Sequence, residues 1–232
     1  MLHNRFDQFK KIKTWADKQA GQKMLLRTFG SRLGSFLNKS GHRVKLKITR
    51  SKELDKDDWC FGAEYDPALD EVGQKPFRLN FIINHERVVP WEITKKDSQE
   101  LSLCLLETLV HEYQHLKQYR ARGYVNLKHK YKGPRPAIDD NSEIDYLSNP
   151  DELDAYSENI ATRLYIEKDI LDITRDKEHW DLHTYYKAFG KEHPVTKELK
   201  SLIESKLITI REKENVKSNR NNIRRRVGNG RN

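Results

Sequence analysis

Cysteine is scarce in this chain: among 232 residues there are only Cys60 and Cys104. Two thiols cannot build a disulfide scaffold, so both are expected as small buried hydrophobes in a reducing compartment. Long apolar runs are missing as well, and no stretch approaches the length that crosses a bilayer. The opening, Met1-Leu2-His3-Asn4-Arg5-Phe6-Asp7, has no apolar core. Export by a Sec-type signal is therefore not expected, and the cytoplasm is the expected compartment. No internal repeat is seen either.

What the chain has in abundance is charge. Charged residues make up 34% and hydrophobic ones 36%, which fits one medium domain with extensions, a modest core and a highly charged surface. The charge is unevenly placed. Residues 1–53 carry a net +11, residues 54–210 a net −8 and residues 211–232 a net +6. In the last stretch Arg220, Arg224, Arg225 and Arg226 follow one another without an aromatic residue. Such an arm suits phosphates of nucleic acid or carboxylates of an acidic protein surface, with a solvated tail as the other reading, and without aromatics base stacking is not indicated. Near the other end, Phe6 to Ala16 has the spacing of an amphipathic helix that docks on its own domain, a partner or a membrane surface.

The acidic middle holds the one motif that carries chemistry, His111-Glu112-Tyr113-Gln114-His115. Histidines four apart on a helix point the same way, so two imidazoles reach one metal ion while the glutamate handles protons. The preceding Leu101 to Val110 reads as a helix buried on most sides that runs straight into the motif. Thr94 and Asp97 form a capping-box-like start with Ser98 as a rival cap, and Gly123 can end the helix. Cys104 lies two turns before His111, too far to share its metal. Thr108 stands three residues before His111, Tyr113 and Gln114 are uncharged, and Leu116 follows His115. These residues resemble the extended helix pattern of the zincin metallopeptidases, from which Lys117 departs where an apolar residue is usual.

A catalytic zinc takes three protein ligands and keeps a position for water. The metzincin form of the motif is excluded, because Leu116 to Ala121 contains neither glycine nor histidine. In Asn149-Pro150-Asp151-Glu152-Leu153-Asp154-Ala155-Tyr156, Ser148 or Asn149 can cap a helix and Pro150 suits its first turn. Glu152 and Tyr156 share a face, and Ala155 beside them allows close packing. This Glu-x-x-Ala stretch resembles the second helix of the gluzincins, and the resemblance spans roughly residues 40–168. It implies zinc held by His111, His115 and Glu152, with Glu112 as general base toward a zinc-bound water. A tyrosine or histidine can assist at the carbonyl oxygen; Tyr156 is the nominee, and a packed helix aromatic is its other reading. An acidic first-turn residue is also what a helix dipole favours, and His129, among Lys128, Lys130 and Lys132, is the alternative third ligand. Asp151 and Glu158 are weaker candidates, and Asp154 points away from Glu152.

The expected fold is α+β: a small, mainly antiparallel sheet, then the HExxH helix, then a helical C-terminal part, as in zincins. Strands are expected at 45–49, 59–65 and 77–84. In zincins an extended peptide lies along a sheet edge, and 77–84 could serve as that edge. Helices are expected at about 150–168, 178–189 and 195–214, with a loop at 131–147. The domains are then a basic helical segment at 1–40, a zincin-like metallopeptidase domain at 41–210 and an arginine-rich tail at 211–232. The resemblance implies hydrolysis of a protein or peptide. The compact plan and basic ends are similar to small zincins of bacteria and their phages, which adds a virion as an expected location. Two other functions fit: an assembly protein such as a virion component that kept a zincin fold, and a nucleic-acid-binding protein that uses its basic tail.

Overall fold

A computed structural model describes residues 5–55, 58–65, 77–84, 90–125, 127–171 and 179–228, with side chains described as far as 217. The chain is α+β and falls into two compact units, residues 1–128 and 129–232.

The first unit begins with α1 (Arg5–Asp17), which buries Phe9, Ile12 and Ala16 at helical spacing and packs on α3 (Lys95–Ala121). The second helix, α2 (Leu26–Lys39), buries Leu26, Phe29, Leu33 and Leu37 and packs on β2 (Val44–Ser51). Gly30 permits that approach: a Cβ there would stand 2.5 Å from Ile48 Cδ1. A three-stranded sheet has the order β2-β4-β3, with β3 at Trp59–Glu64 and β4 at Phe77–Asn84. The β2–β4 pair is parallel, with Val44 opposite Phe77, and the β3–β4 pair is antiparallel, with Trp59 opposite Ile83. The strand at 77–84 is therefore central, a core strand and not the edge it could have served as. Its apolar run reflects neighbours on both sides, with Leu79, Phe81 and Ile83 buried. Two short strands, β1 (Lys23–Met24) and β5 (Trp91–Glu92), pair antiparallel. They bring Trp91 against Phe29 and Phe81, at ring separations of 5.0 and 5.6 Å.

The motif helix α3 starts as its sequence requires. Thr94 accepts from the Asp97 N–H, and Asp97 accepts from the Thr94 N–H, which closes a capping box. Its buried positions, among them Leu101, Leu105, Leu109 and Val110, lie all around it. It ends at Arg122, followed by Gly123 at φ +64°.

The second unit is helical: α4 (Asn141–Leu147), α5 (Pro150–Tyr165), α6 (Trp180–Phe189) and α7 (Pro194–Gly228). Ile144, Leu153, Ile160, Tyr185, Phe189 and Leu199 form the centre of its core. The stretch 131–147 is not all loop. Asp140 accepts from the Ser142 and Glu143 N–H groups and starts α4, which buries Ile144 and Leu147. Ahead of α4 the chain is pinned within its unit, by Tyr131 N–H to Asp145 Oδ1 (2.8 Å) and by the Tyr131 hydroxyl beside His193 Nε2 (3.0 Å). Asn149, not Ser148, caps α5, and Pro150 takes its first turn. After Tyr165 the helix loosens into a π turn, Ile166–Ile170, spanned by a buried Arg163–Glu167 pair at 2.9 Å. The last helix runs to Gly228, well past the expected end at 214. No helix among the described residues is long and apolar enough to cross a membrane.

Candidate metal centre

His111, Glu112 and His115 lie in the interior of α3. Glu112 is 5% exposed and His115 9%. The two Nε2 atoms stand 3.0 Å apart, with the rings 4.7 Å apart and nearly perpendicular. Two imidazoles on one tetrahedral zinc, with Zn–N bonds of about 2.05 Å, need their nitrogens about 3.3 Å apart. The pair is within a few tenths of an ångström of that span. The other ring nitrogen of His115, Nδ1, is 2.9 Å from Gln118 Oε1. Lys117 is exposed and donates to Gln114 Oε1 at 3.0 Å, so the departure from the zincin pattern stays on the outer face of the helix. Cys104 donates to Glu100 Oε1 at 3.4 Å, one turn back along α3.

A second histidine arrangement reaches the motif from behind. His42 Nδ1 is 3.2 Å from the Tyr113 hydroxyl, and its Nε2 is 3.2 Å from Gln8 Oε1 on α1. Tyr113 also meets Phe77 edge-on, with ring centroids 4.8 Å apart. Burial drives the His42 pKa down to about 4, helped by the positive charge of Lys11. Burial pushes the Tyr113 phenol up.

In the second unit, Glu152 and Tyr156 sit one turn apart on α5, among tyrosines. The Tyr146 hydroxyl is 3.4 Å from the Tyr156 hydroxyl and also hydrogen-bonds to Glu152. Burial, then the charges of Tyr156 and Glu152, push the Tyr146 phenol far above its ordinary range. The Tyr156 ring stands edge-on to Tyr185 at 5.7 Å. The fully buried Tyr185 phenol is likewise raised, by burial first and then by Tyr156, Glu152 and Asp181. The other acids of α5 have a different neighbour. Lys206 of α7 bridges Asp154 (2.5 Å) and Glu158 (2.9 Å). The Asn149 side chain, which caps the helix, accepts from the Asp151 N–H. His129 Nε2 lies 3.0 Å from Ser148 Oγ. Arg220, Arg224, Arg225 and Arg226 belong to the last turns of α7, and their side chains lie outside the described residues.

The residues that sequence reasoning missed differ in how findable they were. Gln118 is three positions after His115, a helix-face spacing that points to contact. Tyr146 and His42 come from other elements, and no local spacing announces them. Comparison with protein-family profiles, with curated proteins and with solved structures returned no match to this chain.

Proposed function

We propose that the chain is a zinc-dependent metallopeptidase of gluzincin type. The observation that carries the reading is the convergence of the His111 and His115 Nε2 atoms, 3.0 Å apart on a buried helix, with a buried Glu112 between them in sequence. Their donor chemistry fits zinc, which favours imidazole nitrogen and carboxylate oxygen. Glu152 is our third ligand. Among the acids of α5, Asp154 and Glu158 share the Lys206 ammonium, and Glu152 accepts from the Tyr146 hydroxyl, which helps to steer its carboxylate. When bound, the metal would supply Lewis acidity toward a water and a peptide carbonyl. Glu112 accepts the proton of the attacking water and passes it to the leaving amine. Tyr156, one turn from Glu152, offers a phenol to the carbonyl oxygen as it gains charge. The basic end of α7 would bring the enzyme to nucleic acid or to an acidic protein assembly, in the cytoplasm or on a virion.

Metal content by mass spectrometry on the wild type, His115→Ala and Glu152→Ala tests the site. One zinc per chain is expected, lost or strongly weakened in both variants. Glu112→Gln should keep the zinc and the fold and lower peptide hydrolysis by about 10²- to 10⁴-fold. A wild type that takes up no zinc on reconstitution would overturn the reading and leave an assembly protein as the leading one.

A further inference from the structure

The two ring nitrogens of His115 face different chemistry. Nδ1 is 2.9 Å from Gln118 Oε1, and Nε2 is 3.0 Å from His111 Nε2. A carbonyl oxygen only accepts, so the hydrogen of the neutral imidazole belongs on Nδ1 and Nε2 presents a bare lone pair. Position 118 suits this task. It is three residues along the same helix, so its side chain lies over the His115 face. The neighbouring Gln114 accepts from Lys117 at 3.0 Å, and it is Gln118 whose Oε1 meets His115 Nδ1.

We propose that Gln118 is a positioning residue that locks His115 in its Nδ1–H tautomer, so that Nε2 is ready to bind a metal cation before the cation arrives. This rests on the reading of His111 and His115 as metal ligands, but the tautomer itself is a property of the metal-free protein. His115 is then the preset ligand of the pair. A metal that binds the two Nε2 atoms meets one ring already in the ligating form, and the cost of choosing it falls on folding instead of on binding. An uncharged amide does this without adding a second negative charge behind the ligand, and a carboxylate at 118 would accept the same hydrogen while making Nε2 more basic.

Nitrogen-15 spectra of the histidine rings, recorded on the full metal-free chain, test the tautomer directly. Zinc affinity by competition with a chelator tests its consequence. The wild type should show His115 with a protonated Nδ1 and a bare Nε2. Gln118→Leu should release the ring to a mixture of tautomers and weaken zinc binding by about 10- to 100-fold. Gln118→Glu should restore both the Nδ1–H signature and the affinity, which a purely packing role for Gln118 would not predict. An Nε2–H tautomer in the wild type would overturn the inference, as would a Gln118→Leu protein with unchanged tautomer and affinity. If the wild type binds no zinc, the metallopeptidase reading fails while the ring spectra still decide the tautomer.

Discussion

His42 and His115 are both buried in the first unit, and each has one ring nitrogen on a glutamine carbonyl. At His42 the glutamine is Gln8, on Nε2, and at His115 it is Gln118, on Nδ1. Gln8 therefore fixes the hydrogen of His42 on Nε2 and leaves Nδ1 to accept from the Tyr113 hydroxyl. Every polar atom of that ring is used by the protein, and the result is a tie between α1 and α3. At His115 the same device is turned over, and the nitrogen left to accept, Nε2, faces His111 Nε2 at 3.0 Å. With its hydrogen on Nδ1, His115 Nε2 can only accept, from a ring N–H of His111 or from a cation in its place. The glutamine's choice of nitrogen thus separates a histidine that holds the fold from one that can hold a metal.

The strongest way to break this contrast is to remove each ring. His115→Ala should lower zinc affinity by more than about 100-fold, since even residues behind a ligand are worth 10- to 100-fold. His42→Ala should leave zinc affinity within about twofold of wild type, because the proposed metal would be held by the other ring. Its cost should fall on stability, at about 3 kcal/mol, because the Tyr113 hydroxyl and the Gln8 amide lose a buried partner together. Chelator competition and urea unfolding on both variants separate the two effects. A His42→Ala protein that folds normally but no longer binds zinc would erase the distinction.

Acid gives a second effect of about the same size on stability. The pKa of His42 is about 4 in the folded chain and about 6.5 when unfolded. Between these values the unfolded chain binds the proton and the folded one does not, so acid favours unfolding. The contribution of neutral His42 is fully present above pH 6.5. It is lost as pH falls from 6.5 to 4, by about 3 kcal/mol in all. Urea unfolding of the metal-free protein at intervals across this range checks it, with His42→Gln as the reference that does not titrate. Parallel pH profiles for the two proteins would show that His42 is not held neutral.

How much of this was legible in the sequence depended on how local it was. The motif helix, its Thr94–Asp97 start and its Gly123 end follow from spacing along one segment, and the structure has all three. The strand at 77–84 was legible as a strand, but its central place was not, because its partners start 33 residues away at Val44 and 18 away at Trp59. The α4 helix escaped because it is seven residues long and mostly polar, with only Ile144 and Leu147 buried. The end of α7 escaped because a run of arginine and asparagine reads as a solvated tail, although its backbone is helical to Gly228. Within the site, Gln118 could be found from its i+3 spacing. His42 and Tyr113 are 71 residues apart, and only the folded chain brings them together.

Tyr113 is where the two histidines come nearest to influencing each other, since it belongs to the motif yet bonds to His42. Tyr113→Phe keeps the edge-on contact with Phe77 and removes only the hydroxyl. His42 Nδ1 then loses its donor in a buried place, at a cost of about 1–2 kcal/mol. The proposed metal ligands should not register the change. Successive helix positions point about 100° apart, so the Tyr113 side chain and the His115 ring work on different faces of α3. The expected result is a lower urea midpoint with unchanged zinc affinity and an unchanged His115 ring spectrum. If zinc affinity falls by tenfold or more in Tyr113→Phe, the hydroxyl is positioning the helix for the metal, and the His42 tie and the His115 site are one mechanical unit.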